Sequence, residues 1–344
     1  MNANITSQAS VATACTTAFI IPLRHPESAN NYDVVLQLLK KTVLSLLGQS
    51  DPDIRIVIVC NHEPDIGITD SRLYFINAPF ANPSSGKGAS VPLEVLLLDK
   101  GAKLAIGAAA ALSFQPRYFF FIDADDWIHQ GTSTVMNKRY GIGDNAPSLA
   151  SFPKGYYVNE GYLVNIDAWR YRKVYGLNRY CGSSFAYRRD VIQGLLAGLT
   201  RNHPGLPQHL RELGKELSTK EAISLPDAGG IAETFERGHF YNIFADHGWT
   251  FFYLEKHLNF TPEPIPLTAI CWIVDNGENH SATHLSDRAL PFKADLQQTF
   301  SVSKNTSNSD GETAGLKSGL LYYLSAKRSQ LTWLVSRVRK VNLY

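Results

Sequence analysis

The sequence lacks a clear excess of either charge. Its 33 lysines and arginines nearly balance its 31 aspartates and glutamates, which leaves a formal net charge of +2 at pH 7. Because nucleic-acid binding depends mainly on basic side chains that neutralise phosphates, we expect no nucleic acid among the partners. No apolar run reaches the roughly 20 residues of a membrane-spanning helix, and the N-terminus lacks the pattern of a signal peptide.

Cysteine is also scarce. Cys15, Cys60, Cys181 and Cys271 lie far apart in the chain, and no C-x-x-C pair occurs. This usage favours reduced thiols in a cytosolic setting over a disulfide framework or a zinc site. The sequence has no internal repeat, and its 344 residues, 44% of them hydrophobic, are enough for one large α/β core with a small appendage.

The most informative segment is the run YFFFIDADDW at 118–127. Its bulky apolar half predicts a strand that is buried on both faces. Three carboxylates follow, and extended geometry would place Asp123 and Asp125 on one side and Asp126 on the other. Carboxylates this close repel one another unless a cation lies among them, and α/β sheets bind ligands at the carboxyl ends of strands. The pattern indicates a site for Mg²⁺ or Mn²⁺.

Other interpretations of the acidic run are a helix cap or a solvated loop. An EF-hand loop that began at Asp123 would need Gly and Glu where Ile128 and Thr134 stand, so that motif is excluded. Phosphatases of the haloacid dehalogenase type also place D-x-D after an apolar strand. Their pattern has Thr or Val where this chain has Trp127, which disfavours but does not remove that alternative.

The segments before the acidic run predict alternating strands and helices, which are typical of a parallel sheet with helical crossovers. Asn30 or Asn31 is a candidate N-cap for the first helix. The predicted strands are 17–23, 54–60, 73–76, 93–98 and 118–122, and the predicted helices are 32–47 and 103–112.

The chain resembles the GT-A glycosyltransferases, and is most similar to the family 2 group of bacterial polysaccharide enzymes. The resemblance spans about Thr17 to His284 and is carried by FIIPLRHPESAN, IRIVIVCNHEPD, DKGAKLAIGAAAAL, FFFIDADDW and CGSSFAYRRDVI. It implies a Rossmann-like α/β fold, in which a mostly parallel central sheet is flanked by helices. The implied reaction is metal-dependent transfer of a sugar from a nucleotide-diphosphate donor to a glycan or lipid-linked acceptor. A non-catalytic sugar-binding or scaffold protein of the same fold is a second alternative.

The resemblance also assigns roles to the residues near the donor. Asp125 is the expected direct metal ligand, and Asp123 lies nearer the ribose or the metal. Asp126 is expected to orient a neighbour. The candidates for contact with the nucleotide sugar are Arg24, Asn61, Lys103, Asp123 and Ala124. Lys103 stands where the family commonly has Arg. Asn61 stands where the family usually has a pair of acidic residues.

Candidate residues for the acceptor side lie downstream. An inverting transfer needs a base for the acceptor hydroxyl, and Asp246 in ADHGW is the best match, with His247 as its neighbour. An N-cap is the other interpretation of Asp246. In the polar loop 276–281, His280 is the candidate for completing the metal site, ahead of His284. Trp169 is a candidate for stacking against a sugar ring, although such aromatics are as often core residues.

Composition divides the chain into a flexible N-terminus (1–15), a catalytic domain (16–300), a Ser/Asn-rich linker (301–312) and a basic tail (313–344). The domain has a nucleotide-sugar half (16–130) and an acceptor half (131–300). The tail has leucines and valines at helical spacing, no acidic side chain and six basic ones, at 317, 327, 328, 337, 339 and 340. Such an amphipathic helix suits an anionic membrane surface or packs on protein. We expect a cytoplasmic protein, peripheral on the inner membrane face.

Overall fold

The structure is a computed structural model that describes residues 15–78, 82, 86–138, 148–200, 244–245, 251, 254–255, 259–278, 285 and 288–303. The helices are α1 (Tyr32–Leu47), α2 (Leu93–Ala111), α3 (Thr132–Asn137), α4 (Arg189–Thr200) and α5 (Ala294–Thr299). The strands are β1 (Thr17–Pro22), β2 (Ile54–Cys60), β3 (Leu73–Asn77), β4 (Tyr118–Phe121), β5 (Trp127–Ile128), β6 (Gly155–Tyr157), β7 (Glu160–Asn165), β8 (Arg170–Tyr175), β9 (Phe185–Arg188), β10 (Glu263–Pro264), β11 (Thr268–Val274) and β12 (Leu290–Pro291).

The larger sheet contains seven strands of the described chain in the order β10-β6-β9-β4-β1-β2-β3. The pairs β1–β2, β2–β3, β1–β4 and β6–β10 are parallel. Strand β9 runs antiparallel to both of its neighbours. The predicted α/β class with a mostly parallel central sheet is confirmed.

Helices cover both faces of this sheet because its central strands are apolar on both sides. On one face, Phe19 and Ile21 of β1 pack with the buried side of α1. On the other, Ile20 packs with α2 and α4. Gly107 brings α2 very close to the sheet, since a Cβ at that position would lie 2.5 Å from Cγ2 of Ile20. The close approach helps to fix the position of α2 above the sheet.

The local predictions for the first helix and strands are confirmed. Helix α1 spans Tyr32 to Leu47 as expected, and Asn31 caps it by accepting hydrogen bonds from the backbone N–H groups of Asp33 and Val34. Strand β2 also has the predicted bounds. These elements have a clear period or an unbroken β-branched run, and short-range signals of that kind are reliable.

The prediction of a strand at 93–98 is wrong. Those residues form the first turns of α2, which continues to Ala111 without a break. A short apolar run such as VLLL does not distinguish a buried strand from a buried helix by period alone. The continuation into an alanine-rich segment, with Pro92 at the N-cap, favours one long helix.

A second sheet has the order β12-β8-β7-β11-β5 among the described strands. Its short strand β5 begins only six residues after the end of β4, and pairs with β11 through Trp127 and Cys271. The segment Asp123–Asp126, called the acidic turn below, therefore connects the two sheets. This position brings the end of β11 and the loop behind it beside the carboxyl end of β4.

The described helices include none that is both long and apolar enough to cross a membrane. All four cysteines are free and buried. At the start of the predicted linker, Val302 is buried and its N–H donates to the carbonyl of Gln297. The predicted N-terminal segment 1–14, most of the linker and the tail 313–344 lie outside the described residues.

Candidate functional site

The candidate site lies at the carboxyl ends of β1 and β4. In the sheet, β1 lies between β2 and β4. Strands β2 and β3 are added on one side of β1, whereas β4 lies on its other side, so the order of the strands reverses between β1 and β4. In α/β proteins, ligands bind in the crevice outside such a reversal. Arg24 follows β1, and Asp123, Asp125 and Asp126 follow β4.

The three aspartates lie in a turn, which is closed by a hydrogen bond of 3.2 Å from the N–H of Asp126 to the carbonyl of Asp123. Asp123 and Asp125 are partly buried, whereas Asp126 is 1% exposed. Asp126 thus differs from the other two aspartates in burial, and a turn rather than the predicted extended geometry holds all three. Two carboxylates thus remain reachable from solvent, and the third belongs to the core.

Asp126 holds three parts of the chain together. Its carboxylate accepts hydrogen bonds from the N–H of Ile273 in β11 at 3.0 Å and from the thiol of Cys181 at 3.3 Å. Burial, and then the charges of Asp125 and Asp123, raise its pKa well above the ordinary value. These contacts fit the expectation that Asp126 orients its neighbours.

Asp125 is fixed by the loop that follows β11. Its Oδ2 accepts a hydrogen bond of 2.9 Å from Nδ2 of Asn276. Burial and the nearby charge of Asp123 raise the pKa of Asp125 to about 6, although the bond from Asn276 works in the opposite direction. Burial and the charge of Asp123 thus disfavour the ionised form, and a cation bound at the carboxylate would stabilise it.

Asp123 forms an ion pair that the sequence did not predict. Its Oδ1 lies 2.5 Å from Nζ of Lys100, and its N–H donates to Oγ of Ser183 at 2.7 Å. Burial is the largest single effect on the pKa of Lys100 and lowers it, but the charge and hydrogen bond of Asp123, with the charges of Cys181 and Asp126, together outweigh it, so the net shift is upward. Sequence analysis missed Lys100 because it predicted a strand at 93–98 and a helix only from 103. In the structure Lys100 lies within α2, which directs its side chain to the acidic turn.

Lys103, the predicted phosphate contact, is completely buried. Its Nζ donates to the carbonyl of Leu23 at 2.7 Å and to Oδ2 of Asp99 at 2.9 Å. Burial lowers its pKa despite the charge of Asp99. The structure thus corrects the assignment: Lys103 ties α2 to the end of β1, and Lys100 is the cation at the acidic turn.

Arg24 forms an ion pair with Glu278, a residue that was not predicted from the sequence. Its Nη1 lies 3.1 Å from Oε2 of Glu278, whose carboxylate also accepts hydrogen bonds from the N–H groups of Asn30 at 3.0 Å and Asn31 at 2.6 Å. Glu278 is 6% exposed. It fastens the loop after β11 to the start of α1, and the same loop carries Asn276.

The other predicted residues have different surroundings. Asn61 follows β2 at the same edge of the sheet and is partly buried. The carbonyl of Ala124 accepts a hydrogen bond of 3.0 Å from Oγ1 of Thr42. Trp169 is 7% exposed, and its ring packs against Trp127 and Phe292 with centroid distances of 5.8 and 5.3 Å. Since its ring is enclosed by other aromatics, Trp169 is a core residue here rather than a sugar-stacking one.

A cavity opens beside the Lys100–Asp123 pair. Its lining comes from α2, β4, β9, the Gly182 turn and Phe244–Ala245: Lys100, Leu104, Phe121, Ile122, Asp123, Gly182, Phe185, Tyr187, Phe244 and Ala245. Ala245 immediately precedes Asp246 in the sequence. Asp246, His247, His280 and His284 themselves lie outside the described residues, so their assignments stay predictions.

The carboxylates of Asp123 and Asp125 fit part of a site for a hard cation. Within the described part of the chain, no three His, Cys, Asp or Glu side chains come together as a complete metal site. Mg²⁺ and Mn²⁺, however, are commonly held by one or two carboxylates, with substrate phosphates and water as the other ligands. Burial and the charge of Asp123 raise the pKa of Asp125 and so disfavour its ionised form, which such a cation would stabilise.

Comparison with known proteins gives little further guidance. No family model matches the chain, and no curated protein matches it. Among solved structures, the chain is similar to 4-diphosphocytidyl-2C-methyl-D-erythritolsynthase from Anaerococcus prevotii, with 14% sequence identity and a TM-score of 0.28. The match covers 67% of this chain and 86% of that chain.

Proposed function

We propose that this protein is a glycosyltransferase of the GT-A type, which moves a sugar from a nucleotide-diphosphate donor to a glycan or lipid-linked acceptor. The observation that carries the proposal is the pair of reachable carboxylates, Asp123 and Asp125, at the carboxyl end of β4 where the strand order reverses. Two of the sequence pieces that resemble GT-A enzymes meet at the same point, since FIIPLRHPESAN begins within β1 and continues past its carboxyl end, and CGSSFAYRRDVI supplies Gly182 and Ser183.

In this proposal, Asp125 and Asp123 hold a Mg²⁺ or Mn²⁺ ion together with the donor. The bound ion would offset negative charge on the diphosphate leaving group. Asn276 fixes the Asp125 carboxylate from the side, and Ser183 fixes the backbone of Asp123. The Asp125 carboxylate and the backbone of Asp123 are thus fixed before the donor arrives, and preorganisation of this kind lowers the cost of binding.

The acceptor would enter from the cavity side. Asp246 is the proposed general base, which takes the proton of the acceptor hydroxyl as the sugar is transferred. Its support is that Ala245, the preceding residue, lines the cavity that also contains Asp123 and Lys100. His280 is proposed as a further contact to the metal or the diphosphate, because it follows closely after the Asn276–Glu278 loop in the sequence.

The biological setting proposed is cell-surface polysaccharide synthesis at the inner face of a membrane. A lipid-linked acceptor would lie in that membrane, and the basic residues of 313–344 would hold the enzyme beside it. Each Lys or Arg near an anionic bilayer contributes on the order of 1 kcal/mol. This part of the proposal rests on the sequence of the tail.

A thermal-shift screen of UDP-, GDP- and dTDP-sugars, with and without Mn²⁺, tests the proposal. We expect at least one sugar nucleotide to raise the melting temperature with Mn²⁺, and the rise to disappear in Asp125→Asn. A rise that is unchanged in EDTA and in Asp125→Asn would contradict the metal-dependent site. Hydrolysis of simple phosphate esters, with no response to any sugar nucleotide, would favour the haloacid-dehalogenase alternative.

A further inference from the structure

The ion pair between Lys100 and Asp123 occupies a space that the backbone leaves open for it. A Cβ at Gly182 would lie 2.7 Å from Nζ of Lys100 and 2.9 Å from Oδ2 of Asp123, closer than real Cβ contacts. Glycine at 182 therefore lets the turn cover the pair. The two side chains are 20% and 31% exposed, so the pair is enclosed but can be reached from solvent.

The Lys100 ammonium contacts Oδ1 of Asp123, an oxygen that would be a ligand of a bound metal ion. Its Nζ is 2.5 Å from Oδ1 of Asp123, closer than the roughly 2.7–2.9 Å of a charge-assisted N–H···O bond, so the ammonium occupies this oxygen directly. A divalent cation on the same carboxylate would repel the ammonium, because two positive charges a few ångströms apart interact unfavourably in a partly buried site. Metal binding and the Lys100–Asp123 pair therefore compete.

An ammonium that leaves Asp123 remains in the cavity, since Lys100 is anchored on α2. Much of the cavity wall is apolar, with contributions from Leu104, Phe121 and Phe244. A charge beside such a wall is costly unless it finds an opposite charge. In the proposed reaction, the nearest mobile anion is the donor diphosphate on the metal.

We infer that Lys100 is an exchangeable counter-ion, which neutralises Asp123 in the metal-free protein and binds the donor diphosphate once a metal ion has displaced it. The inference rests on the proposed function and adds a donor-binding residue to it. A lysine suits this exchange because its ammonium carries three donors on a flexible four-carbon stem. Lys103 does not suit it, since its Nζ is held in the core by Leu23 and Asp99.

The first test uses Mn²⁺ alone, with free Mn²⁺ measured by electron paramagnetic resonance. Lys100→Met removes the charge and keeps the length of the side chain, so it should bind Mn²⁺ about tenfold more tightly than the unaltered protein. Lys40→Met, an exposed lysine on α1, is the matched control and should leave the affinity unchanged. Lys100→Arg keeps the charge and should stay close to the unaltered protein.

The second test uses inorganic pyrophosphate in saturating Mn²⁺, measured by calorimetry, because this probe carries the diphosphate without a base or a sugar. Lys100→Met should bind it about 10- to 100-fold more weakly, the range expected for the loss of a charge-assisted hydrogen bond. Lys100→Met should therefore have two opposite effects: it should strengthen the binding of Mn²⁺ and weaken the binding of pyrophosphate. If the ion pair were purely structural, Lys100→Met would lower the melting temperature and leave the affinity for pyrophosphate unchanged.

The outcomes separate this inference from the proposed function. If the unaltered protein binds Mn²⁺ and pyrophosphate, Asp125→Asn abolishes both, and Lys100→Met changes neither, only the role of Lys100 is overturned. If the unaltered protein binds neither ligand, the proposed function is overturned as well. Should Lys100→Met fail to fold, Lys100→Gln replaces it in both titrations, with the same two effects expected and the same results counting against them.

Discussion

Nδ2 of Asn276 donates a 2.9 Å hydrogen bond to Oδ2 of Asp125, although the two residues are 151 positions apart in the sequence. The contact joins the loop after β11 to the acidic turn after β4. A hydrogen bond to the ionised carboxylate lowers its pKa, so Asn276 partly offsets the burial and the repulsion by Asp123 that raise it. The charge state of the site therefore depends on a loop that belongs to the second sheet.

Asn276→Ala should shift the pH dependence of Mn²⁺ binding. Without this donor, the pKa of Asp125 in the metal-free protein should rise further above about 6, since a hydrogen bond worth about 0.5–1.5 kcal/mol corresponds to roughly 0.4–1.1 pKa units. The pH below which Mn²⁺ affinity falls should move upward by that amount. Asn30→Ala is the control, because Asn30 bonds to the carbonyl of Gly277 in the same loop without contacting Asp125. Equal shifts in both variants would contradict the explanation.

Asp125→Asn should change how the stability of the metal-free protein depends on pH. The folded-state pKa of Asp125 is raised from 3.8 to about 6, so between these values the folded state binds more protons than the unfolded state. The free energy of unfolding should therefore fall as the pH rises from about 4 to about 6, and the fall should be smaller in the variant, which keeps only the contribution of Asp126. Above pH 6 we expect the variant to be more stable by about 1–3 kcal/mol.

Urea unfolding at pH 4, 5, 6 and 7.5 in EDTA measures this effect. Asp167→Asn is the control, because Asp167 is exposed and should leave the pH dependence unaltered. The explanation fails if Asp125→Asn and the unaltered protein show parallel curves over the whole range.

Much of the central sheet could be predicted from the sequence, because its signals are local. The apolar run Tyr118–Phe121 and the helix face that begins at Tyr32 are set by neighbouring residues. Lys100 was missed for a local reason as well, since VLLL is ambiguous between strand and helix. Glu278 could not be assigned, because its partners Asn30 and Asn31 lie 248 and 247 positions away and only the tertiary fold brings them together.

Glu278→Ala should destabilise the protein strongly. The buried carboxylate accepts hydrogen bonds from the N–H groups of Asn30 and Asn31, and pairs with Arg24. Its removal leaves two donors and a guanidinium without this acceptor, which should cost about 2–4 kcal/mol of the free energy of unfolding. Glu27→Ala is the control, because the side chain of Glu27 is 78% exposed. Denaturant unfolding with equal midpoints for the two variants would rule out this role.

Asp246→Asn should remove most of the transferase activity. General-base assistance is typically worth about 10²–10⁴-fold in rate. Binding of the donor should change little, since the base acts on the acceptor. Calorimetry with the sugar nucleotide and steady-state rates check the two statements separately. Near-normal rates, or a loss of donor affinity, would disprove the assignment, and His247→Gln would then be the next variant to measure.

A chain that ends at Glu312 should stay folded and keep its binding of sugar nucleotides, but should no longer sediment with phosphatidylglycerol liposomes. The full-length chain should bind them at low salt and more weakly at high salt, because salt screens the attraction between the basic tail and the lipid. If the full-length chain ignores the liposomes, the tail has no role at the membrane. If truncation unfolds the domain, the tail is a packing element.

The most direct test of the central claim is the release of nucleoside diphosphate from sugar nucleotides, measured by mass spectrometry with Mn²⁺, with EDTA and with Asp125→Asn. We predict that the unaltered protein releases nucleoside diphosphate from at least one sugar nucleotide in Mn²⁺. EDTA should abolish the release, and Asp125→Asn should reduce it by several orders of magnitude, as expected when a catalytic metal is lost. Release that continues at the same rate in EDTA and in Asp125→Asn would contradict the assignment of Asp123 and Asp125 as the cation and donor site.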